Sequence, residues 1–162
     1  MLLFEVSKQT NISISGKWLS EIAKAFDQEK KLKGKWYFSL AFVDSKTIKR
    51  LNKIYRGKNK ITDVLSFEED FKNFVDLPID RKYLGEIVIC VPQAKKQAKD
   101  IKCSLNKEIA RLLVHGLAHL SGYDHERNGL KAADRMLRFE KRILVKLKIW
   151  SIFKFEEEPI DC

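Results

Sequence analysis

Cysteine, histidine and long apolar runs are all scarce in this chain of 162 residues. The three cysteines, Cys90, Cys103 and Cys162, are odd in number and form no C-x-x-C pair, which argues against a disulfide framework and favours a reducing compartment. No apolar run approaches the roughly 20 residues that span a bilayer. The N-terminal segment MLLFEVSKQT has no basic leader and no cleavage site. We therefore expect a cytoplasmic protein with no membrane segment and no signal peptide.

Positive charge is in excess, because 32 lysines and arginines face 22 acidic residues and give a formal net charge of +10. A basic surface attracts polyanions, and nucleic acid is the commonest polyanion in cytoplasm. A solvated, lysine-rich surface without a partner is the alternative. Apolar residues, at 44%, are sufficient for a packed core. The length suits one domain, 1–162, whose acidic tail at 156–162 is expected to fray.

Hydrophobic periodicity predicts an alternation of strands and helices along the chain. Strands are predicted over 2–6, 35–43, 64–67 and 84–91. Helices are predicted over 17–30, from a cap at Asp44 or Ser45 through Tyr55, from Pro92 to about 102, from a cap at Ser104 or Asn106 to 121, and over about 128–149, with a loop over 68–82. The fold class is α+β (mixed α/β), with one small mixed sheet and helices packed on it. The strand order cannot be read from the pattern.

All three histidines, His115, His119 and His125, lie within the eleven residues HGLAHLSGYDH. The first two are four apart and share a helix face, Gly122 breaks the helix, and His125 can return to the same point. Three imidazoles with no fourth protein ligand predict a catalytic zinc site, one Zn²⁺ per chain, with a position open to water. Nickel or another divalent ion would suit the same ligands. Histidines satisfied separately in the core or at the surface are the alternative.

Glycine stands where a metalloprotease would carry its base. The pattern H-x-x-x-H-x-x-G-x-x-H resembles the metzincins, in which a glutamate follows the first histidine and activates the water. This chain has Gly116 there, which predicts metal geometry without peptidase chemistry and room beside the metal for a polynucleotide. A zinc metalloprotease or amidase that uses Asp124 or Glu126 as its base remains the alternative enzyme. An RNA- or ribosome-binding protein with structural zinc is a third possibility.

Three blocks together resemble the YbeY family of bacterial zinc-dependent, single-strand-specific endoribonucleases. They are LNKIYRGKNKITDVLSF at 51–67, LGEIVIC at 84–90 and HGLAHLSGYDH at 115–125. The resemblance implies a zincin-like domain, zinc on the three histidines and an essential Arg56. It also implies 16S rRNA 3′-end maturation and ribosome quality control, with precursor rRNA and the ribosome or ribosomal proteins as partners. Glu86, where the family often has aspartate, and Glu68, where many members have proline, depart from the pattern without touching the ligands.

RNA hydrolysis accounts for the same residues chemically. Arg56 offers a bidentate fork to phosphate oxygens, and Lys53, Lys58 and Lys60 supply point charges for RNA binding along the backbone. The predicted catalytic residues are Arg56, His115 and Asp124. Asp124 can orient a histidine or handle protons; a turn residue bonded to its own backbone is the alternative. Structural roles at a loop-to-strand turn are expected of Thr62, Asp63 and Ser66.

Overall fold

The computed structural model describes residues 1–68, 81–123 and 129–152. Its strands are β1 (Leu2–Lys8), β2 (Lys35–Val43), β3 (Val64–Phe67) and β4 (Arg81–Cys90). Its helices are α1 (Gly16–Lys30), α2 (Ser45–Arg56), α3 (Val91–Asp100), α4 (Leu105–Leu120) and α5 (Gly129–Lys146), and a 3-10 turn follows at Trp150–Ile152. The predicted helix start at Asn128, the loop within 69–80 and the acidic tail at 156–162 lie outside the described residues.

One mixed sheet of four strands organises the described part of the chain. The strand order is β1-β2-β4-β3. β1, β2 and β4 run parallel, whereas β3 pairs antiparallel with β4. The predicted α+β class, with a small mixed sheet, is therefore confirmed.

Alternating side chains of the strands divide the core into two layers, as the pleat of a sheet requires. Phe38, Phe42, Ile87 and Ile89 pack with buried residues of α1, α4 and α5 on one face. Ala41, Val43, Val88 and Cys90 face the other side, where they meet Ile48 of α2. Cys90 is fully buried, so it serves as a small apolar core residue. The two layers place α4 and α2 on opposite faces of the sheet.

Side-chain caps fix the starts of two helices that matter for the site. The carboxylate of Asp44 accepts a hydrogen bond from Thr47 N at 2.8 Å at the start of α2. The hydroxyl of Ser104 accepts from Lys107 N at 3.4 Å at the start of α4. Both residues are good N-caps because they satisfy backbone donors of the first turn. The sequence analysis predicted both Asp44 and Ser104 as candidate caps.

Several predicted boundaries were wrong by a few residues, among them the end of β1, which extends to Lys8 rather than 6. β4 begins at Arg81 rather than 84, and Val91 opens α3 instead of ending the strand. α5 ends at Lys146 rather than 149, because Lys148 adopts a positive φ of 59° and Ile149 N bonds back to Leu144 O. That arrangement stops a helix although Lys148 is not glycine.

Across the described ranges, every helix is either too short or too polar to cross a membrane.

Candidate active site

Helix α4 carries the first two histidines through the centre of the domain. Ten of its sixteen residues are buried, so its axis is held on several sides. The helix ends through two backbone bonds, Gly122 N to His119 O at 3.0 Å and Tyr123 N to Ala118 O at 3.1 Å, while Gly122 has a φ of +91°. This is the Schellman pattern of helix termination. It confirms that Gly122 breaks the helix after the second histidine.

The two helical histidines meet through the nitrogens that a metal would use. Their Nε2 atoms lie 3.2 Å apart, and the rings are edge-to-face, with centroids 4.7 Å apart. Two nitrogens bound at about 2.0–2.1 Å to one tetrahedral ion lie about 3.3–3.4 Å apart. The observed separation therefore fits two neighbouring ligands of one zinc ion, as well as a hydrogen bond between the rings.

The rest of the predicted metal site falls in the segment 124–128. His125, the predicted third ligand, and Asp124, the predicted catalytic carboxylate, lie outside the described residues. Within 1–68, 81–123 and 129–152, no three histidine, cysteine or acidic side chains are grouped closely enough to hold an ion. The described chain thus supplies two nitrogen donors, His115 and His119.

Glu140 of α5 is a site residue that the sequence analysis missed. Its Oε1 lies 2.7 Å from Nδ1 of His115, and its side chain is 12% exposed. A signal was present in the sequence, because Glu140 follows Met136 by four positions and precedes Ile143 by three, and both of these are buried. An acidic residue on the buried stripe of an amphipathic helix needs a partner. The sequence analysis expected Asp124 to orient a histidine. In the described residues, Glu140 makes a carboxylate contact of this kind with His115.

The turn after α4 is anchored by α1 and α5. Lys30 donates through Nζ to Ser121 O at 3.2 Å and also lies 4.9 Å from the ring centroid of Tyr123. The Tyr123 ring stacks on Phe139, with centroids 4.5 Å apart and planes 16° apart. These contacts fix where the chain leaves the helix toward His125.

A buried ionic network supports the opposite end of α4. Glu108 is fully buried, and Arg111 donates to it twice, at 3.0 and 2.6 Å. Asp63 lies 3.9 Å from the same guanidinium and accepts from Val64 N at 2.7 Å and from Gln97 at 3.2 Å. The expected structural role of Asp63 is confirmed, since it joins β3, α3 and α4.

Gly116 faces the sheet. A Cβ on Gly116 would lie 3.0 Å from Ile87 Cγ2 and 3.2 Å from two other atoms of that side chain. The expectation that this glycine clears room beside the metal was therefore wrong. Its missing side chain lets α4 approach β4.

Arg56 lies at the end of α2, against the edge strand β3. Its Nη2 donates to Ser66 O at 2.7 Å, and its guanidinium carbon is 5.8 Å from the centroid of Phe67. Ser66 is in register with Ile87, the residue that contacts Gly116 on the other side of the sheet. Arg56 and His115 are thus carried by helices on opposite faces of the same two strands.

The predicted RNA-binding lysines cluster around Arg56. Lys53, Lys58 and Lys60 are exposed. The helix ends at Arg56 and is capped by Gly57, whose φ is +69°. Asn52 then holds the following loop by donating to Lys60 O at 2.9 Å. The structure therefore gathers these four basic residues at one end of α2.

A polar row crosses the sheet next to this basic end. Register places Glu5, Ser39 and Glu86 side by side on β1, β2 and β4. Ser39 donates to Glu5 at 3.3 Å and accepts from the Tyr83 hydroxyl at 3.2 Å. Burial raises the pKa of Glu86, and the negative charge of Glu5 adds to the effect.

Comparison with known proteins agrees with the histidine motif and the fold. The family model described as Endoribonuclease YbeY matches residues 4–148. A protein named Endoribonuclease YbeY from Persephonella marina is 45% identical over 112 residues, 68% of this chain and 69% of that protein. Its namesake from a Sulfurihydrogenibium species is 40% identical over 136 residues, 83% of this chain and 84% of the relative.

One solved structure supports the fold independently. The solution structure of TM1509 from Thermotoga maritima matches with a TM-score of 0.58 and 22% identity, over 98% of this chain and 99% of that one. This likeness supports the α+β fold, and the family model and the relatives define a hydrolase of the nuclease class. The chain belongs to the Endoribonuclease YbeY family, as its three sequence blocks predicted.

Proposed function

We propose that this protein is a zinc-dependent, single-strand-specific endoribonuclease that processes ribosomal RNA in the cytoplasm. The observation that carries the proposal is the His115–His119 pair, whose Nε2 atoms lie 3.2 Å apart on a helix of an endoribonuclease family member. Within ribosomal RNA processing, we propose 3′-end maturation of 16S rRNA and ribosome quality control. The ribosome or its proteins are the proposed partners.

The proposed ligands are His115, His119 and His125. Imidazole nitrogen is a usual zinc donor, and three protein ligands leave one coordination position open. When bound, zinc would lower the pKa of a water molecule and polarise a phosphoryl oxygen. The chain contributes the spacing of His115 and His119, because the burial of α4 holds these two donors in place.

Arg56 is the proposed phosphate-holding residue. A guanidinium carries five N–H donors in a planar fork, and its contact with Ser66 O uses a donor on Nη2. That contact fixes the side chain beside β3, so the phosphate group meets a donor set that is already oriented. Lys53, Lys58 and Lys60 add positive charge along the approach of the strand.

A peptidase would need a base that position 116 does not supply. Gly116 has no side chain, and its Cβ direction points to Ile87. Asp124 and Glu126, the other candidate bases, lie outside the described residues. For RNA cleavage, we propose Asp124 as the residue that handles protons near His115.

Cleavage of matched RNA substrates tests the proposal. Zinc-loaded protein should cut a single-stranded RNA internally and leave a duplex of the same sequence intact, whereas His115→Ala should cut neither. Binding of the single strand without zinc-dependent cleavage would instead favour an RNA-binding protein with structural metal. A peptide-library digest with the same preparation tests the alternative enzyme, and zinc-dependent proteolysis lost in His115→Ala would replace the nuclease assignment.

A further inference from the structure

We propose that Glu140 is a positioning residue that selects the tautomer of His115 and aims its Nε2 at the metal. The inference rests on the zinc site proposed above and deepens it. It concerns a residue on α5, 25 positions after His115, that belongs to none of the three sequence blocks.

The contact defines which nitrogen carries the proton. Oε1 of Glu140 lies 2.7 Å from Nδ1 of His115, within the range of a hydrogen bond to a charged acceptor. A carboxylate can only accept, so Nδ1 must carry the hydrogen. A neutral imidazole has one N–H, which leaves a lone pair on Nε2. Nε2 is the atom that faces His119 at 3.2 Å.

The position of Glu140 is fixed by the core around it. Its neighbour Phe139 is 2% exposed, and Met136 and Ile143 on the same stripe of α5 are also buried. Phe139 packs edge-to-face on Phe26 and stacks on Tyr123. These contacts hold the backbone of α5 at Glu140 beside α4.

Two consecutive residues of α5 thereby contact residues before and after the turn that ends α4. Phe139 contacts Tyr123, which lies beyond the turn, and Glu140 contacts His115, which lies before it. A carboxylate behind a ligating histidine orients the ring and raises its basicity. The expected loss of zinc affinity on removal of this carboxylate is about 10- to 100-fold.

Nitrogen NMR of metal-free protein tests the tautomer directly. The protein is labelled with ¹⁵N-histidine, and long-range proton–nitrogen spectra assign the His115 ring by comparison with a His115→Gln variant. Wild type should show a protonated Nδ1 and an unprotonated Nε2 on His115. Glu140→Gln should shift both nitrogens toward averaged values. A protonated Nε2 in wild type, or an unchanged spectrum in Glu140→Gln, would overturn the proposal.

Zinc affinity supplies the second readout, measured by competition with a chromophoric chelator. Glu140→Gln should weaken zinc binding at least tenfold. The matched control is Asp134→Asn, which makes the same charge change on the same helix at a side chain that is 53% exposed; it should leave the affinity unchanged. Equal losses in the two variants, or none in Glu140→Gln, would exclude a positioning role.

The outcome separates this inference from the proposed function. If wild type binds zinc and cleaves RNA while Glu140→Gln does both equally well, the positioning role fails and the nuclease assignment stands. If wild type binds no zinc, the proposed function and the metal-directed role fail together. Circular dichroism of each variant confirms that α5 remains folded.

Discussion

Gly116 and Ile87 are in van der Waals contact across the interface between α4 and β4. A methyl group on Gly116 would come within 3.2 Å of three atoms of Ile87, closer than carbon atoms pack in a protein core. This contact sets how near the histidine helix lies to the sheet. Position 116 is therefore constrained by packing, independently of any chemistry at the neighbouring His115.

Gly116→Ala should destabilise the protein because overpacking costs about 1–3 kcal/mol, against a gain of about 1 kcal/mol in helix propensity. Denaturant titration should give a net loss of about 1 kcal/mol in the free energy of unfolding. In an Ile87→Ala background the same substitution should become stabilising. Gly16→Ala is the control, since nothing lies within 4 Å of its Cβ position. An equal loss in both backgrounds would show that Ile87 is not the cause.

His119→Ala should lose the proposed metal. Elemental analysis should find about one zinc per wild-type chain and a small fraction of that in the variant, because the Nε2 pair is broken. Asn106→Ala on the same helix is the control; Asn106 is exposed, and its contact with Trp18 uses only its backbone carbonyl. Equal zinc content in wild type and His119→Ala would exclude this histidine as a ligand.

Arg56→Lys should retain RNA binding and lose most cleavage. Lysine keeps the charge but cannot contact Ser66 O and a phosphate with one planar group. Loss of a preorganised donor of this kind costs on the order of 100-fold in rate, which single-turnover cleavage measures. Arg50→Lys, at an exposed position on the same helix, should cleave normally. If Arg56→Lys cleaved RNA as fast as wild type, a bidentate role of Arg56 in holding phosphate would be excluded.

The salt dependence of RNA binding should show whether the lysines at the end of α2 contact phosphate groups. With single-stranded RNA, each phosphate contact contributes about 0.7 to the slope of log affinity against log salt. Lys53→Gln, Lys58→Gln and Lys60→Gln should each reduce that slope by about this amount. Binding is measured by anisotropy in the His115→Ala background to prevent cleavage. Lys24→Gln, at an exposed position on α1, should not alter the slope, and a reduction there equal to the others would indicate non-specific attraction.

Glu86 should make the protein less stable as pH rises. Burial, and secondly the charge of Glu5, raises the pKa of Glu86, so the folded state holds this proton more tightly than the unfolded state does. Stability is lost as pH rises above the ordinary glutamate pKa of about 4.3 and through the raised value. Glu86→Gln should therefore be more stable than wild type at pH 7, and the difference should shrink toward pH 4.

Chelator-treated protein and denaturant titration provide that comparison without any metal contribution. Glu21→Gln, at an exposed position on α1, is the control and should show little change at either pH. A Glu86→Gln protein that is less stable than wild type at pH 7 would mean that the carboxylate contributes a favourable contact.

Local signals in the sequence predicted most of the elements. The spans of β2 and β3 matched, and Asp44, Ser104 and Gly122 were located correctly, because capping and turn formation depend on residues only a few positions apart. The end of α5 was missed because Lys148 adopts a conformation that its residue type does not favour. The strand order was not predictable, since it depends on which distant segments pair.

Contacts within one helix of the site were predictable from the sequence, whereas contacts between helices and strands that are distant in the chain were not. His115 and His119 share a helix face through their spacing alone, so their proximity followed from the sequence. Glu140 comes to His115 only because α5 packs on α4, a contact that no local pattern specifies. The neighbour of Gly116 was missed for the same reason, since Ile87 belongs to a strand of the sheet beneath the helix.

The bond from Arg56 to Ser66 O also bears on self-association. β3 is an edge strand of the described sheet, and the carbonyls of an exposed edge can pair with a strand of another copy. A guanidinium that donates to one of these carbonyls occupies the acceptor, and its charge disfavours the addition of a strand from another copy. The side chain proposed to hold phosphate therefore also occupies an acceptor of an edge strand, and we expect a change of Arg56 to lower solubility as well as turnover.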